Sequence, residues 1–450
     1  MLYFPTKKLD LWLLLVTKIV AGKIRLGVLL TLALSLSIAD ANDGAHLGVS
    51  NCASSTCHGS SLAFKDSSIL RNEFRTWYEQ DPHALAYKTL LNPRSQEIAR
   101  KLGLESAHRA PICLACHTDH VATNKRGEDF KLEDGVGCEA CHGGSENYLN
   151  SHTNDNHAGN LNAGLRKTED PAVRGELCVS CHIGNEQSRQ ITHTIMGAGH
   201  PRLSFELNTF SSIQPAHYSV DLDYIERKGN VNTLQTWAVG QVIAASQLLK
   251  NVSSLPRSGL FPELSHMDCL ACHQGMKKLT WSADRISQLP SGALRYQEAH
   301  LLMSYRIAQV TAVDLAADLL TAIKLFLHSA SNPKDMPVGV ARTLAQLQRL
   351  QTSLETHPIQ PAQGLAMVNE LVTSGIENEH RSYASAEQLA MGLNSLLHAV
   401  SSSYVSDQLK QKLVTQMNHI FDTVADPEQY KPEQLISHLK NIKRLSIDPE

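Results

Sequence analysis

The sequence predicts a mainly α protein in two parts: an N-terminal region with little regular structure, followed by an all-α helical bundle. Three observations carry that reading. All ten cysteines fall between residues 52 and 272, in five close pairs, each followed at once by a histidine. The sequence around them is rich in Gly, Asn and Pro, with few long periodic runs. Beyond residue 287 there are no cysteines, and apolar residues recur at helical spacing.

Residues 1–41 read as an export signal. A basic stretch ending at Arg25 precedes the apolar run Leu26 to Ala39, and Ala39-Asp40-Ala41 fits the small-x-small cleavage pattern. The run is short for a bilayer span. An uncleaved membrane anchor is the alternative, kept open by the earlier apolar patch LDLWLLLV. Either way the remainder is expected outside the cytoplasm, in the periplasm. The first 41 residues carry a net charge of +3, so the formal -3 of the whole chain becomes about -6 without them. That balance argues against nucleic-acid binding, which usually needs a basic face.

Residues 42–287 hold the cysteines. Four stretches read CLACH (113–117), CEACH (138–142), CVSCH (178–182) and CLACH (269–273). Cys-x-x-Cys-His is the attachment signal for c-type haem. Two thiols must reach two vinyl groups on one side of a porphyrin, and the next residue must turn its imidazole onto the iron. One helical turn from the first Cys presents all three. A zinc site built from two Cys-x-x-Cys knuckles needs no histidine after each pair. Histidine is 22 of 450 residues, so four accidental hits are improbable and haem is the reading. The remaining pair, Cys52 and Cys57, is spaced by four residues in NCASSTCHGS and precedes His58. A wider loop can bulge and still deliver both sulfurs and the histidine, giving a fifth haem. A disulfide closing this small loop stabilises little and is the alternative. The expected attachment cysteines are Cys52, Cys57, Cys113, Cys116, Cys138, Cys141, Cys178, Cys181, Cys269 and Cys272, and the proximal iron ligands His58, His117, His142, His182 and His273.

The stretches EFRTWYEQDPHALAY (73–87), CLACHTDH (113–120), DGVGCEACHGGSE (134–146) and THTIMGAGHPRLSFELNTF (192–210) resemble the multihaem c-type cytochromes of the cytochrome c554-like family, over about residues 45–285. The resemblance implies a periplasmic electron carrier that exchanges electrons with partner oxidoreductases of nitrogen or sulfur metabolism. It implies that the histidine of the W…PHA element, here His83, is a distal ligand. It also implies a distal histidine shortly after the CEACH motif. Here Gly143-Gly144-Ser145 stands where the family has Gly-Pro-Gly, and the next histidine is His152. The chain departs from the four-haem prototype in having five motifs. One haem of the prototype lacks a sixth protein ligand.

Ten non-proximal histidines lie in this region, more than five irons need, so two imidazoles on every iron are feasible. That ligation keeps potentials low relative to methionine ligation. The distal set read here is His46, His83, His152, His193 and His200. His46, six residues before Cys52, can swing toward a neighbouring haem. His193 and His200 flank TIMGAG, whose glycines allow close backbone approach to a flat ring. Met196 is a weaker candidate, as are His108, His120 and His266. Arg202 and Arg257 are candidates for propionate pairing, against the plainer reading of surface arginines.

One long helix is expected over 231–252, VNTLQTWAVGQVIAASQLLKNV, bridging the gap between the fourth and fifth motifs. SQLPSG (287–292) marks a boundary. Residues 288–450 then read as a bundle of five or six helices, with Pro361, Pro427 and Pro432 at helix starts. Its histidines read as exposed or structural. Docking or dimerisation are the roles open to it.

The function read from this pattern is electron transfer between redox partner proteins through a chain of covalently attached haems, with no catalytic residue assigned. The alternative is a multihaem oxidoreductase acting on a small nitrogen or sulfur species at an iron with an open coordination site. A haem-based sensor with the bundle as output is the weakest of the three.

Overall fold

A computed structural model describes residues 43–154, 156–254, 263–273, 286–289, 293–404 and 406–447. The expected export signal and Arg257 lie outside these. Among the described residues the fold is mainly α. There is no strand, only two isolated bridges, His46 with Arg126 and Met267 with Tyr296.

The N-terminal region is made of short helices joined by turns. Helix α1 (Glu73–Gln80) ends where Asp81 caps the 3-10 turn Pro82–Leu85, its carboxylate accepting from the His83 amide at 3.0 Å. Pro82 at the first position of that turn has its φ preset. Helices α2 (Pro111–His117), α3 (Cys138–His142) and α4 (Pro171–His182) each end on a histidine. Pro111 opens α2 and Pro171 opens α4, which the Asp170 side chain also caps through the Ala172 amide.

Helix α5 (Thr233–Ser254) organises the rest. Trp237, Ala238, Val242, Ala245 and Leu249 are fully buried, and most of the helix is enclosed. Such a helix can only run through a core. It packs on α4 and, after the short helix α6 (Cys269–Cys272), on α7 (Ala299–Thr311), α9 (Met336–Thr356) and α11 (Tyr383–Tyr404). The remaining bundle helices are α8 (Val313–His328), α10 (Pro361–Ile376), α12 (Asp407–Thr423) and α13 (Pro432–Ile447). Where α11 crosses α5, a Cβ on Gly392 would stand 3.0 Å from the Trp237 indole nitrogen, so glycine sets how closely the two helices approach.

Three sequence expectations need correction. Among the described residues the bundle has seven helices, because α7 and α8 are separated only at Ala312, with no Gly or Pro to mark the break. Pro361 and Pro432 open helices, but Pro427 sits in the turn between α12 and α13. The line near residue 287 does not separate two cores. One apolar core runs from Val179 and Phe205 through α5 to Ile442, because α5, which precedes that line, is the bundle's central helix. No helix among the described residues is long and apolar enough to cross a membrane.

Candidate haem-binding centres

In all four Cys-x-x-Cys-His stretches the cysteines lie on a single helical turn, at the end of α2 and α4 and making up α3 and α6, with the histidine closing or capping it. The wider Cys52–His58 loop folds back on itself. The His58 amide donates to the Cys52 carbonyl at 3.2 Å, and the Cys57 and Gly59 amides donate to Ser54 at 2.9 Å. A Cβ at Gly59 would stand 1.9 Å from the Ala53 carbonyl oxygen, so the return requires glycine. The extra residues are absorbed in a turn while Cys52 and His58 are brought together. Cys52 and Cys57 form no disulfide, and neither do the other eight cysteines. The Cys52 thiol lies close enough to that of Cys138, and Cys116 to Cys181, for each to shift the other's acidity. The first motif therefore stands beside the third, and the second beside the fourth.

The histidines are arranged in facing pairs. His58 faces His152 with ring centres 6.0 Å apart, His182 faces His83 at 6.2 Å, His142 faces His217 at 6.2 Å, and His273 faces His193 at 6.1 Å. An imidazole nitrogen binds a first-row metal at about 2 Å and lies ~1 Å from its ring centre, so two rings on one metal have centres roughly 6 Å apart. Four proximal histidines thus each have a second ring at the spacing that a shared iron sets. His117 is brought near His200, whose imidazole its charge influences.

Hydrogen bonds on the far side of the rings fix which nitrogen is free. His58 Nδ1 bonds the Glu73 carboxylate at 3.0 Å, His83 Nδ1 the Asp81 carboxylate at 2.8 Å, and His117 Nδ1 the Ala86 carbonyl at 2.9 Å. His152 Nδ1 bonds the Leu149 carbonyl at 2.6 Å and His200 Nδ1 the Pro201 carbonyl at 2.8 Å. With the proton held on Nδ1, Nε2 keeps the lone pair that a metal needs. Burial, followed by the charge of His217, pushes His142 down to about 4. Burial and His83 do the same to His182. Both imidazoles are therefore neutral at ordinary pH, the ligating form.

One member of the expected distal set stands apart from the facing pairs. His46 faces no proximal ring among the described residues. It is buried, its Nδ1 bonds the Asp119 carboxylate at 2.7 Å, and its Nε2 lies 3.7 Å from Asp43. With Asp119 and Glu139 it forms a buried cluster. Glu139 is already filled, since it accepts from the Leu47, Gly48 and Ser145 amides and the Ser145 hydroxyl at 2.6–2.8 Å. The cluster thus ties the segment around His46 onto α3. The ring that faces His142 belongs to His217, which the sequence reading left in the wider pool. Its context, Pro215-Ala216-His217, carries only a faint signal, a nearby proline as at His83. Of the weaker candidates, His108 stands edge-on to Tyr87 and His266 is half-buried. Arg202 pairs with Glu387 at 2.7 Å.

Comparison with known proteins bears on the same region. Residues 51–143 match the family model described as cytochrome c554 and c-prime. The chain carries a domain of the cytochrome c554-like family. It is similar to cytochrome c-554 of Nitrosomonas europaea, 28% identical over 137 residues, which cover 28% of this chain and 57% of that protein. The match thus spans little more than half the length of that relative. No solved structure matches the chain. Covalently bound haem c is the cofactor of this cytochrome c554-like domain, and the Cys-x-x-Cys-His turns with their facing histidines fit it. The haem, when bound, supplies a one-electron couple. The chain supplies thioether sulfurs, axial imidazoles and the bonds that orient them.

Proposed function

We propose that the protein is a periplasmic electron carrier with five covalently attached haems, one at each Cys…Cys-His motif. Cys52, Cys57 and His58 form the fifth. The observation that carries this reading is the facing of proximal and distal histidines at 6.0–6.2 Å. An iron held between two protein imidazoles has no position for substrate, and its remaining chemistry is gaining and losing an electron. The distal set is His83, His152, His193, His200 and His217. The contacts between Cys52 and Cys138 and between Cys116 and Cys181 bring neighbouring attachment sites close, which suits passage of electrons along the chain. Without residues 1–41 the chain has a net charge of about -6, which suits transient docking to a basic patch on a partner oxidoreductase.

The test is reoxidation of the reduced protein. A partner oxidoreductase with a basic docking face should reoxidise it rapidly, and more slowly as salt is raised. Nitrite, nitric oxide or hydroxylamine alone should do so slowly. A second reading has its footing at His117, whose partner His200 is placed only by the influence of one charge on the other. If His200 does not close that iron, a small nitrogen or sulfur species can bind there. Rapid multiple turnover of such a species by the isolated protein would put this reading first.

A further inference from the structure

Helix α1 carries a carboxylate at each end. Glu73 is its first residue and Asp81 follows its last. Each meets the ring of a histidine read here as an iron ligand. Glu73 Oε2 lies 3.0 Å from His58 Nδ1, and Asp81 Oδ1 lies 2.8 Å from His83 Nδ1. His58 belongs to the first motif, and His83 is the ring facing His182 of the fourth. One helix therefore reaches two haem centres, in each case through the nitrogen that the iron does not use.

Both carboxylates are held in place by a second donor. The other Glu73 oxygen accepts from the Arg71 amide at 3.0 Å, and the other Asp81 oxygen from the Gln214 side chain at 2.9 Å. The Asp81 side chain is 4% exposed and that of Glu73 15%, so water screens neither charge well. The helix itself is pinned by the Trp77 indole, which donates to the Val136 carbonyl at 3.0 Å. Capping accounts for the bond from the His83 amide to Asp81 and not for the bond to the ring. By contrast, the His117, His152 and His200 rings meet backbone carbonyls, which carry no net charge.

We propose that Glu73 and Asp81 tune the haems of the first and fourth motifs, each holding its iron at a lower potential than a carbonyl-bonded imidazole would. The proposal rests on the five-haem reading. Drawing the Nδ1 proton toward a carboxylate makes Nε2 a stronger donor, which favours the ferric iron. Reduction also adds one negative charge at the haem, and a fixed anion nearby opposes it. The two effects act in the same direction. Neither residue touches the iron, so both are positioning residues that work through the imidazole.

The test uses the full-length holoprotein. Glu73→Gln and Asp81→Asn each keep an oxygen that can accept from the ring and remove only the charge. Spectroelectrochemical titration compares these variants and their double with wild type and with Glu105→Gln, which neutralises an exposed carboxylate beside Arg109. The expected result is one wave moved to higher potential in E73Q, a different wave moved up in D81N, both in the double variant and none in E105Q. The low-spin signal in electron paramagnetic resonance should keep its wild-type intensity, because both rings still bind. A purely structural role would release a ring and raise a high-spin signal, or move no wave. Either result overturns the proposal, as does a downward shift or the same wave moved by both variants. If D81N does not fold, E73Q decides alone. Peptide mapping that finds no haem on the 52–58 loop of the wild type fails the five-haem reading instead, and D81N then decides the proposal at the fourth motif.

Discussion

Replacing His217 with alanine should convert one iron from low spin to high spin. His142 is partly buried, and the His217 ring stands edge-on to it with centres 6.2 Å apart. Truncation to Cβ removes the only imidazole facing His142 among the described residues; the next ring beyond it, Tyr218, packs on His217 itself. One of five irons then loses its sixth ligand, so about one-fifth of the low-spin ferric signal should be replaced by a high-spin one. Added imidazole should reverse the change. Electron paramagnetic resonance of the oxidised protein, integrated against total haem, reads both numbers. His46→Ala is the matched control and should leave the spin state unchanged, because His46 faces no proximal ring among the described residues and its Nδ1 is bonded to Asp119. A high-spin signal in H46A, with none in H217A, would refute the pairing and restore His46 to the distal set.

Other outcomes follow from the same geometry. Cys52→Ser/Cys57→Ser should lower the intact mass by one haem and leave four, read by mass spectrometry; an unchanged mass would show that this loop carries none. Trp237→Ala should destabilise the protein by roughly 3–5 kcal/mol, because the fully buried indole sits where α5 meets α11; urea denaturation followed by circular dichroism checks it. His380, buried in the bundle, is pushed down to about 3 by burial and then by the Arg306 charge. The unfolded chain therefore takes up a proton below about pH 6.5 while the folded one does not. The stability this group contributes is present above that pH and is lost as pH falls toward 3, by about 1.4 kcal/mol per unit. His380→Gln should flatten that slope in denaturation midpoints measured between pH 4 and 7, and an unchanged slope would place the acid sensitivity elsewhere.

The Cys-x-x-Cys-His turns were legible in the sequence because the pattern is local. Two thiols and an imidazole must share one turn, and that turn is written in five consecutive letters. The long helix 233–254 was legible for a similar reason, as an apolar run of helical length. Distal ligands are not local. His217 lies 75 residues beyond His142, and nothing in its own neighbourhood names its partner. His46, read as able to swing toward a neighbouring haem, faces no proximal ring among the described residues, because the Asp119 bond and the hydrogen-bonded carboxylate of Glu139 hold its segment against α3. The separate helical domain was misjudged because α5 precedes the expected boundary, and only packing shows that it serves both parts. The extra bundle helix escaped for want of a breaker residue at Ala312.

Spin quantitation of the fully oxidised wild-type protein decides most directly whether the chain caps its own irons. With haem counted chemically on the same sample, the five Cys…Cys-His motifs predict five haems per chain, and the four facing pairs, with His200 near His117, predict that all are low spin with no high-spin signal. A high-spin component amounting to one haem or more would contradict two-sided capping and make the enzymatic reading the better one.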